Sequence, residues 1–199
     1  MIIAALTGSI AMGKTETAKM FAARGIPVFD SDAAVHALYA RGGSAVAAIA
    51  GVVPSAIVDG GVDRQRLSAA IQADSSLLRK IEAAVHPLVK EMQSRFLAAA
   101  AASGAEIALL DIPLLFETGR DRDVDMVIVV TAREDLQRER AMKRPGMTAD
   151  KLDFILSKQM PDVEKRARAD YVIDTSSSLE DTARDVDRVI AEIKARAQD

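Results

Sequence analysis

Five short apolar runs, separated by stretches of helical periodicity, predict an α/β fold: three layers built on a five-stranded parallel sheet. Two observations carry this. The runs are continuous rather than alternating, as strands buried on both faces require. The connections between them are long and helical, as parallel crossovers demand. With 199 residues and 49% apolar composition, one α/β unit with small insertions can fill a core.

The first strand is the run Ile2–Thr7. Gly8-Ser9-Ile10-Ala11-Met12-Gly13-Lys14-Thr15 follows, then a helix from Glu16 to Ala23 that Gly25 and Pro27 stop. Ile26-Pro27-Val28-Phe29-Asp30 reads as the second strand, with Pro27 tolerable at its start. Asp32 is expected to cap a helix running to about Tyr39. Gly42-Gly43 breaks it, and Ser44 to Ala50 forms a short helix. Gly51 to Val62 reads as a loop or small hairpin around Asp59-Gly60-Gly61, and Asp63 opens a helix through Ile71. A long helical stretch spans Ser75 to Ser103, where Pro87 is expected to kink or divide it.

Ile107–Asp111 and Asp125–Thr131 are the third and fourth strands. Helices over Arg133–Arg144 and Thr148–Gln159 are separated by Pro145-Gly146. Tyr171–Asp174 is the fifth strand. Ser178-Leu179-Glu180-Asp181 resembles a capping box for the last helix, whose apolar face reads Leu179, Ala183, Val186, Val189, Ile190 and Ile193. The all-helical stretch from about Asp32 to Gly104 has no strand in this scheme. It reads as an insertion at the carboxyl edge of the sheet, where ligands collect.

Composition narrows the chemistry. The chain has no cysteine, which excludes disulfides, thiolate metal sites and cysteine nucleophiles and fits a reducing, cytoplasmic compartment. Two histidines make a poor basis for a histidine-rich metal site. No signal segment or membrane span is expected, and a net charge of -3 argues against a general nucleic-acid binder. The charge is uneven. Between Arg133 and Arg168 ten cations face seven acids, which suits a phosphate-facing role and equally a solvated helix surface.

Gly8 to Thr15 fits G-x-x-x-x-G-K-S/T, the Walker A or P-loop pattern, in the strand–loop–helix context that gives the pattern meaning. Gly8 and Gly13 let the backbone curl so that successive N–H groups face an anion, and the helix adds its orphan donors and positive dipole end. Lys14 then reaches the outer phosphates, and the Thr15 hydroxyl is placed for Mg2+. Asp30 and Asp32 follow the second strand, so one of them can accept a proton from an acceptor hydroxyl; Asp32 is favoured, with a purely capping role as the alternative. Asp111 at a strand tip is a candidate Walker B carboxylate for Mg2+, held through water, or simply a polar strand end. Arg140 and Arg144, four apart, share a helix face and can grip phosphate oxygens. His36 reads as a solvated helix residue. His86, before Pro87, is placed at a helix break.

These stretches together resemble the dephospho-coenzyme A kinase family along nearly the whole chain. The matching segments are Leu6-Thr7-Gly8 with the P-loop, Phe29-Asp30-Ser31-Asp32, Gly61-Val62-Asp63-Arg64 with Leu67, and Ile81-Glu82-Ala83-Ala84-Val85-His86-Pro87. They continue through Asp111-Ile112-Pro113-Leu114-Leu115-Phe116-Glu117, Arg140 with Arg144, Gln159, and Ala169-Asp170-Tyr171-Val172-Ile173-Asp174. The Walker loop is generic; the His-Pro motif and the Asp-Ile-Pro-Leu-Leu-Phe-Glu motif in this order are not.

The resemblance implies a three-layer P-loop kinase fold with a helical acceptor-binding insertion and a small helical lid. Its nucleotide-binding core would be residues 1–32, 104–139 and 169–199, its acceptor region 33–103 and its lid 140–168. It implies ATP-dependent phosphorylation of the ribose 3′-hydroxyl of dephospho-coenzyme A, with ATP and Mg2+ required and no nucleic-acid or membrane partner. A monomer or weak homo-oligomer is expected. By the same resemblance Asp32 matches the proposed base, and Lys14, Arg140 and Arg144 are the catalytic cations. Gly8, Ala11, Met12, Gly13, Lys14, Thr15 and Glu16 bind ATP, and His86, Pro113, Leu114, Leu115 and Glu117 line the acceptor side. Thr15 and Asp111 would hold the metal.

Several positions depart from the family pattern. Ser9, Ala11 and Met12 stand where the loop usually has Gly, Gly and Ser, and Ala11 cannot take a positive φ cheaply. Glu16 follows Thr15, and its charge must point away from the α-phosphate. Pro145 and Ile155 stand where many relatives carry Asp and Arg. Another small P-loop kinase, acting on a nucleoside monophosphate or a metabolite hydroxyl, is the alternative enzyme reading. A GTPase-like switch needs an N-K-x-D motif, and the sequence contains no Asn.

Overall fold

The apolar run Ile2–Thr7 becomes strand β1 at the centre of the sheet, with Ala4 to Thr7 all buried. In the computed structural model, which describes residues 1–196, β1 pairs in parallel with β5 (Ile107–Asp111) and β6 (Met126–Thr131). Leu6 stands between Asp111 and Ile128 in register. Strand β7 (Tyr171–Asp174) adds in parallel beyond β6, and β2 (Val28–Asp30) forms the other edge, giving the order β2-β5-β1-β6-β7. The chain moves one way from β1 to β2 and the other way from β6 to β7. The strand order therefore switches beside β1, where an open α/β sheet presents its ligand crevice. The final three residues of the expected 169–199 core segment lie outside the described residues.

Helix α1 (Lys14–Ala23) and helix α9 (Leu179–Arg196) cover one face of the sheet. Phe21 from α1 and Val186, Val189 and Ile193 from α9 meet Leu6, Ile128 and Ile173 in one buried cluster. The Arg24 guanidinium fixes the end of α1 to α9, donating to the Asp187 carboxylate and, at 3.1 Å, to the Ala183 carbonyl. The expected capping box is present: Asp181 N–H donates to Ser178 Oγ at 3.1 Å and Ser178 N–H to the Asp181 carboxylate at 3.3 Å. Leu179, expected on the apolar stripe, is 67% exposed, because the buried stripe begins one turn later at Thr182.

The chain divides into two compact units, Met1–Phe29 with the chain from Ala100 onward, and Asp30–Ala99. The second unit comprises α2 (Ser31–Tyr39), α3 (Val46–Val52), a hairpin of β3 (Ile57–Val58) and β4 (Gly61–Val62), α4 (Arg64–Ala73) and most of α5 (Ser76–Ala102). Leu38, Ile49, Leu67, Ile81, Val85 and Val89 form its core. The hairpin turns at Asp59-Gly60, both at positive φ, as a type I′ turn needs.

Three further expectations are corrected. Asp30, not Asp32, caps α2: its carboxylate accepts from Ala33 N–H at 2.9 Å, and Asp32 falls in the first turn. Pro87 does not divide α5. It sits exposed, so its ring costs one backbone hydrogen bond, while Ile81, Val85 and Val89 on either side of it bury as one stripe. The segment after β6 holds three helices rather than two: α6 (Glu134–Met142), α7 (Ala149–Ser157) and α8 (Asp162–Ala167). Among the described residues no helix is long and apolar enough to cross a membrane.

Candidate active site

Between β1 and α1 the backbone curls at two glycines, each crowded where a Cβ would stand. A Cβ on Gly8 would lie 2.6 Å from the Val130 carbonyl oxygen. Gly13 sits at φ +93°, and a Cβ there would meet the Thr175 hydroxyl at 2.9 Å. Ala11 holds φ +62°, the left-handed region, at a strain of roughly 1–2 kcal/mol for a residue with a Cβ. The expected conflict at this position is therefore real, and the loop carries it. No side chain among the described residues caps α1, so its first-turn N–H groups, with the curled loop amides, offer donors to an anion.

Side chains from outside the loop hold it in shape. Ile10 N–H donates to Gln159 Oε1 at 3.0 Å, and Gln137 Nε2 donates to the Ile10 carbonyl at 2.8 Å. The Thr175 hydroxyl donates to the Met12 carbonyl at 2.8 Å, and Met12 Sδ accepts from Ala132 N–H at 3.1 Å. Met12 thus faces inward, and its backbone supplies the loop. Of these supports only Gln159 stands out in the sequence. Gln137 and Thr175 are polar residues on an otherwise ordinary helix and strand end.

Lys14 forms an ion pair with Asp111 at the tip of β5, joining the Walker lysine to the strand-end carboxylate. Thr15 lies exposed in the first turn of α1. Glu16 is exposed too, and Lys19 one turn on pairs with it at 2.7 Å, which offsets its charge near the helix start. Arg140 donates from Nη1 to the Thr175 hydroxyl and from Nη2 to the Thr175 carbonyl, both at 2.8 Å. Arg144 is exposed and has no side-chain partner among the described residues.

The loop after β5 divides by burial. Pro113 is half-buried and accepts from the Thr7 hydroxyl at 3.1 Å through its carbonyl, and Leu114 is exposed. Leu115 is fully buried, so only its backbone can reach a ligand; its carbonyl already accepts from Arg120 N–H at 3.0 Å. Glu117 lies 2.8 Å from Lys165, whose side chain is 0% exposed, and accepts from Met160 N–H at 2.8 Å. Burial alone would raise the Glu117 carboxyl, but the Lys165 ammonium and the Met160 N–H outweigh it and hold it below its usual range. Lys165 reads in the sequence as one more surface cation of a basic segment.

In the second unit, Asp32 is exposed and its carboxylate has no partner among the described residues. The capping work is done by Asp30 and not by Asp32. His86 is exposed on α5 beside Pro87. No group of three or more His, Cys, Asp or Glu side chains that could cage a metal occurs among the described residues.

A parallel sheet whose order switches beside an amide-lined glycine loop, with a lysine and a strand-tip carboxylate paired at its edge, places this chain among the P-loop kinases. Comparison with known proteins carries the assignment further. The Dephospho-CoA kinase family model matches residues 2–181, and the chain belongs to that family. A dephospho-CoA kinase of Mesorhizobium japonicum is 50% identical over 196 residues, covering 98% of both chains. One of Rhodopseudomonas palustris is 51% identical over 180 residues, covering 90% of this chain and 89% of its own. Among solved structures, a Thermus thermophilus protein superposes with a TM-score of 0.82 at 33% identity, covering 96% of this chain and 97% of its own. The dephospho-CoA kinase of Campylobacter jejuni gives 0.66 at 19% identity, covering 96% of each chain, which supports the fold.

Proposed function

We infer that this chain transfers the terminal phosphoryl group of ATP to the ribose 3′-hydroxyl of dephospho-coenzyme A, releasing ADP and completing coenzyme A. The observation that carries this is the paired Lys14 and Asp111 beside an intact glycine loop, in a chain that belongs to the dephospho-CoA kinase family along nearly its full length.

The loop amides from Ala11 to Glu16, with Gly8 and Gly13 allowing the curl, bind the phosphates, and Lys14 neutralises charge on the outer ones. Arg140 and Arg144 add cations as the phosphoryl group moves. Asp32 takes the proton of the 3′-hydroxyl; its exposed, unpartnered carboxylate supports that role. His86, Pro113, Leu114, the Leu115 backbone and Glu117 bind the acceptor. Residues 33–103 form the acceptor region and 140–168 a lid that excludes water.

Mg2+ fits the residues present: one strand-tip carboxylate and one exposed hydroxyl match a cation that takes few protein oxygens and completes its shell with phosphate and water. Asp111 and Thr15 would hold it, and it would supply neutralisation of phosphate charge. Action as a monomer or weak homo-oligomer in the cytoplasm, without nucleic acid or membrane, belongs to the same proposal; the acidic, cysteine-free composition supports the compartment and the lack of a nucleic-acid partner.

The test is ADP release measured side by side with dephospho-coenzyme A, AMP and no acceptor. Release with dephospho-coenzyme A alone is expected; release with AMP alone would replace this reading by that of a nucleoside monophosphate kinase.

A further inference from the structure

The phosphate loop contains a contradiction that its own residues do not resolve. Ala11 sits at φ +62°, where glycine is at ease and alanine is not, yet the chain keeps alanine there. The residue just before it is held at both of its backbone groups. Its N–H, on Ile10, goes to Gln159 Oε1 at 3.0 Å, and the Ile10 carbonyl receives Gln137 Nε2 at 2.8 Å. One glutamine stands on α6 and the other just past α7. The Ala11 methyl packs in the same place, in a small cluster with Ala141 and Leu152, which belong to those two helices and are fully buried.

We propose that Gln137 and Gln159 are positioning residues: their side-chain amides fix the Ile10–Ala11 segment in its strained, phosphate-binding shape, doing from outside what glycine would do from within. The proposal rests on the reading that this loop binds ATP. The chemistry is specific to the amide group. One glutamine must accept and the other must donate, and each needs a polar atom at the end of an uncharged side chain so that no charge competes with the nucleotide. With both Ile10 backbone groups committed and the Met12 N–H turned back to the Ser9 carbonyl at 3.3 Å, the amides left to face phosphate are that of Ala11 and those from Gly13 onward. The arrangement also makes loop shape depend on how α6 and α7 are seated.

Gln159→Met removes one amide while keeping side-chain length, and Gln159 is only half-buried, so the fold tolerates the change. Losing this bond is expected to raise the ATP Kd and the KM for ATP about tenfold. The KM for dephospho-coenzyme A should stay within about twofold, since the residues proposed to bind the acceptor lie elsewhere in the chain. Adding Ala11→Gly to Gln159→Met should recover most of the lost ATP affinity, because glycine adopts the same φ without help. An unchanged ATP Kd in Gln159→Met, or a loss that Ala11→Gly leaves untouched, would overturn the proposal. Hydrogen exchange at the Ile10 amide gives a second test in the unmodified chain: protection is expected, and exchange at the rate of an open loop would overturn it. Failure of the ATP-loop reading itself looks different, since Lys14→Ala would then bind ATP as the unmodified chain does.

Discussion

Arg140 and Thr175 are joined twice, guanidinium Nη1 to hydroxyl and Nη2 to carbonyl, and the same hydroxyl donates to the Met12 carbonyl of the phosphate loop. The cation on α6 is thereby aimed by a residue at the end of β7. Only a planar fork can make both bonds at once, and an ammonium cannot. Arg140→Lys should therefore lower kcat by about tenfold or more although charge is kept. Steady-state kinetics decides it, and an unaltered kcat would remove Arg140 from the proposed transition-state cations.

Asp32 offers a carboxylate that no cap or ion pair among the described residues occupies. Asp32→Asn should leave the ATP Kd unchanged and lower kcat by about 10²–10⁴, the range expected for loss of a general base. Near-normal turnover would take the base role away from it.

Lys14 has both a protein partner in Asp111 and a proposed phosphate partner. Lys14→Ala should weaken nucleotide binding and reduce kcat by about 10²–10³, comparable to removing one electrostatic stabiliser of a transition state. Titration with ATP and a kcat measurement together check this.

Glu117 and Lys165 give a prediction about pH. The Glu117 carboxyl is held below its usual range, so its ionised form contributes stability fully above the ordinary carboxylate value of about 4.3, and that contribution is lost as pH falls through the lowered value. Glu117→Gln leaves the buried Lys165 charge without its counter-ion, at an expected cost of about 3 kcal/mol, or roughly 6–12 °C in Tm. Thermal melts from pH 7 to pH 3 should show the gap between the two chains constant near neutrality and narrowing only in the acid limb. A gap independent of pH would show that packing, not charge, is responsible.

Gly8→Ala tests the tightest point of the loop. A methyl there meets the Val130 carbonyl at 2.6 Å, backbone that cannot swing aside as a side chain can. A lower Tm and weaker ATP binding are expected together; a normal Tm with normal binding would show that β6 yields.

Much of this architecture is legible in the sequence because it depends on local pattern. Continuous apolar runs such as Ile107–Asp111 mark doubly covered strands, Asp59-Gly60 marks its hairpin, and Ser178 with Asp181 marks a helix start. What escapes is set by partners far along the chain. Gln137 meets Ile10 across 127 positions, and Thr175 meets Met12 across 163, and no periodicity announces either. Lys165 looks like any helix-surface cation until Glu117 is seen opposite it. Choosing between Asp30 and Asp32 as the cap depended on where α2 begins: it starts at Ser31, directly after β2, and spacing rules do not resolve a shift of two residues in a helix start.

The fastening of Arg24 to Asp187 bears on how the chain is made. The helix behind the glycine loop is synthesised early, but α9, which carries Asp187 163 residues after Arg24, supplies the surface that shelters Phe21 much later. A ribosome-bound intermediate lacking α9 exposes an apolar flank of the nascent sheet, a natural target for chaperones. Fusions or truncations that disturb α9 should therefore harm yield and recovery from inclusion bodies well before they touch any substrate contact.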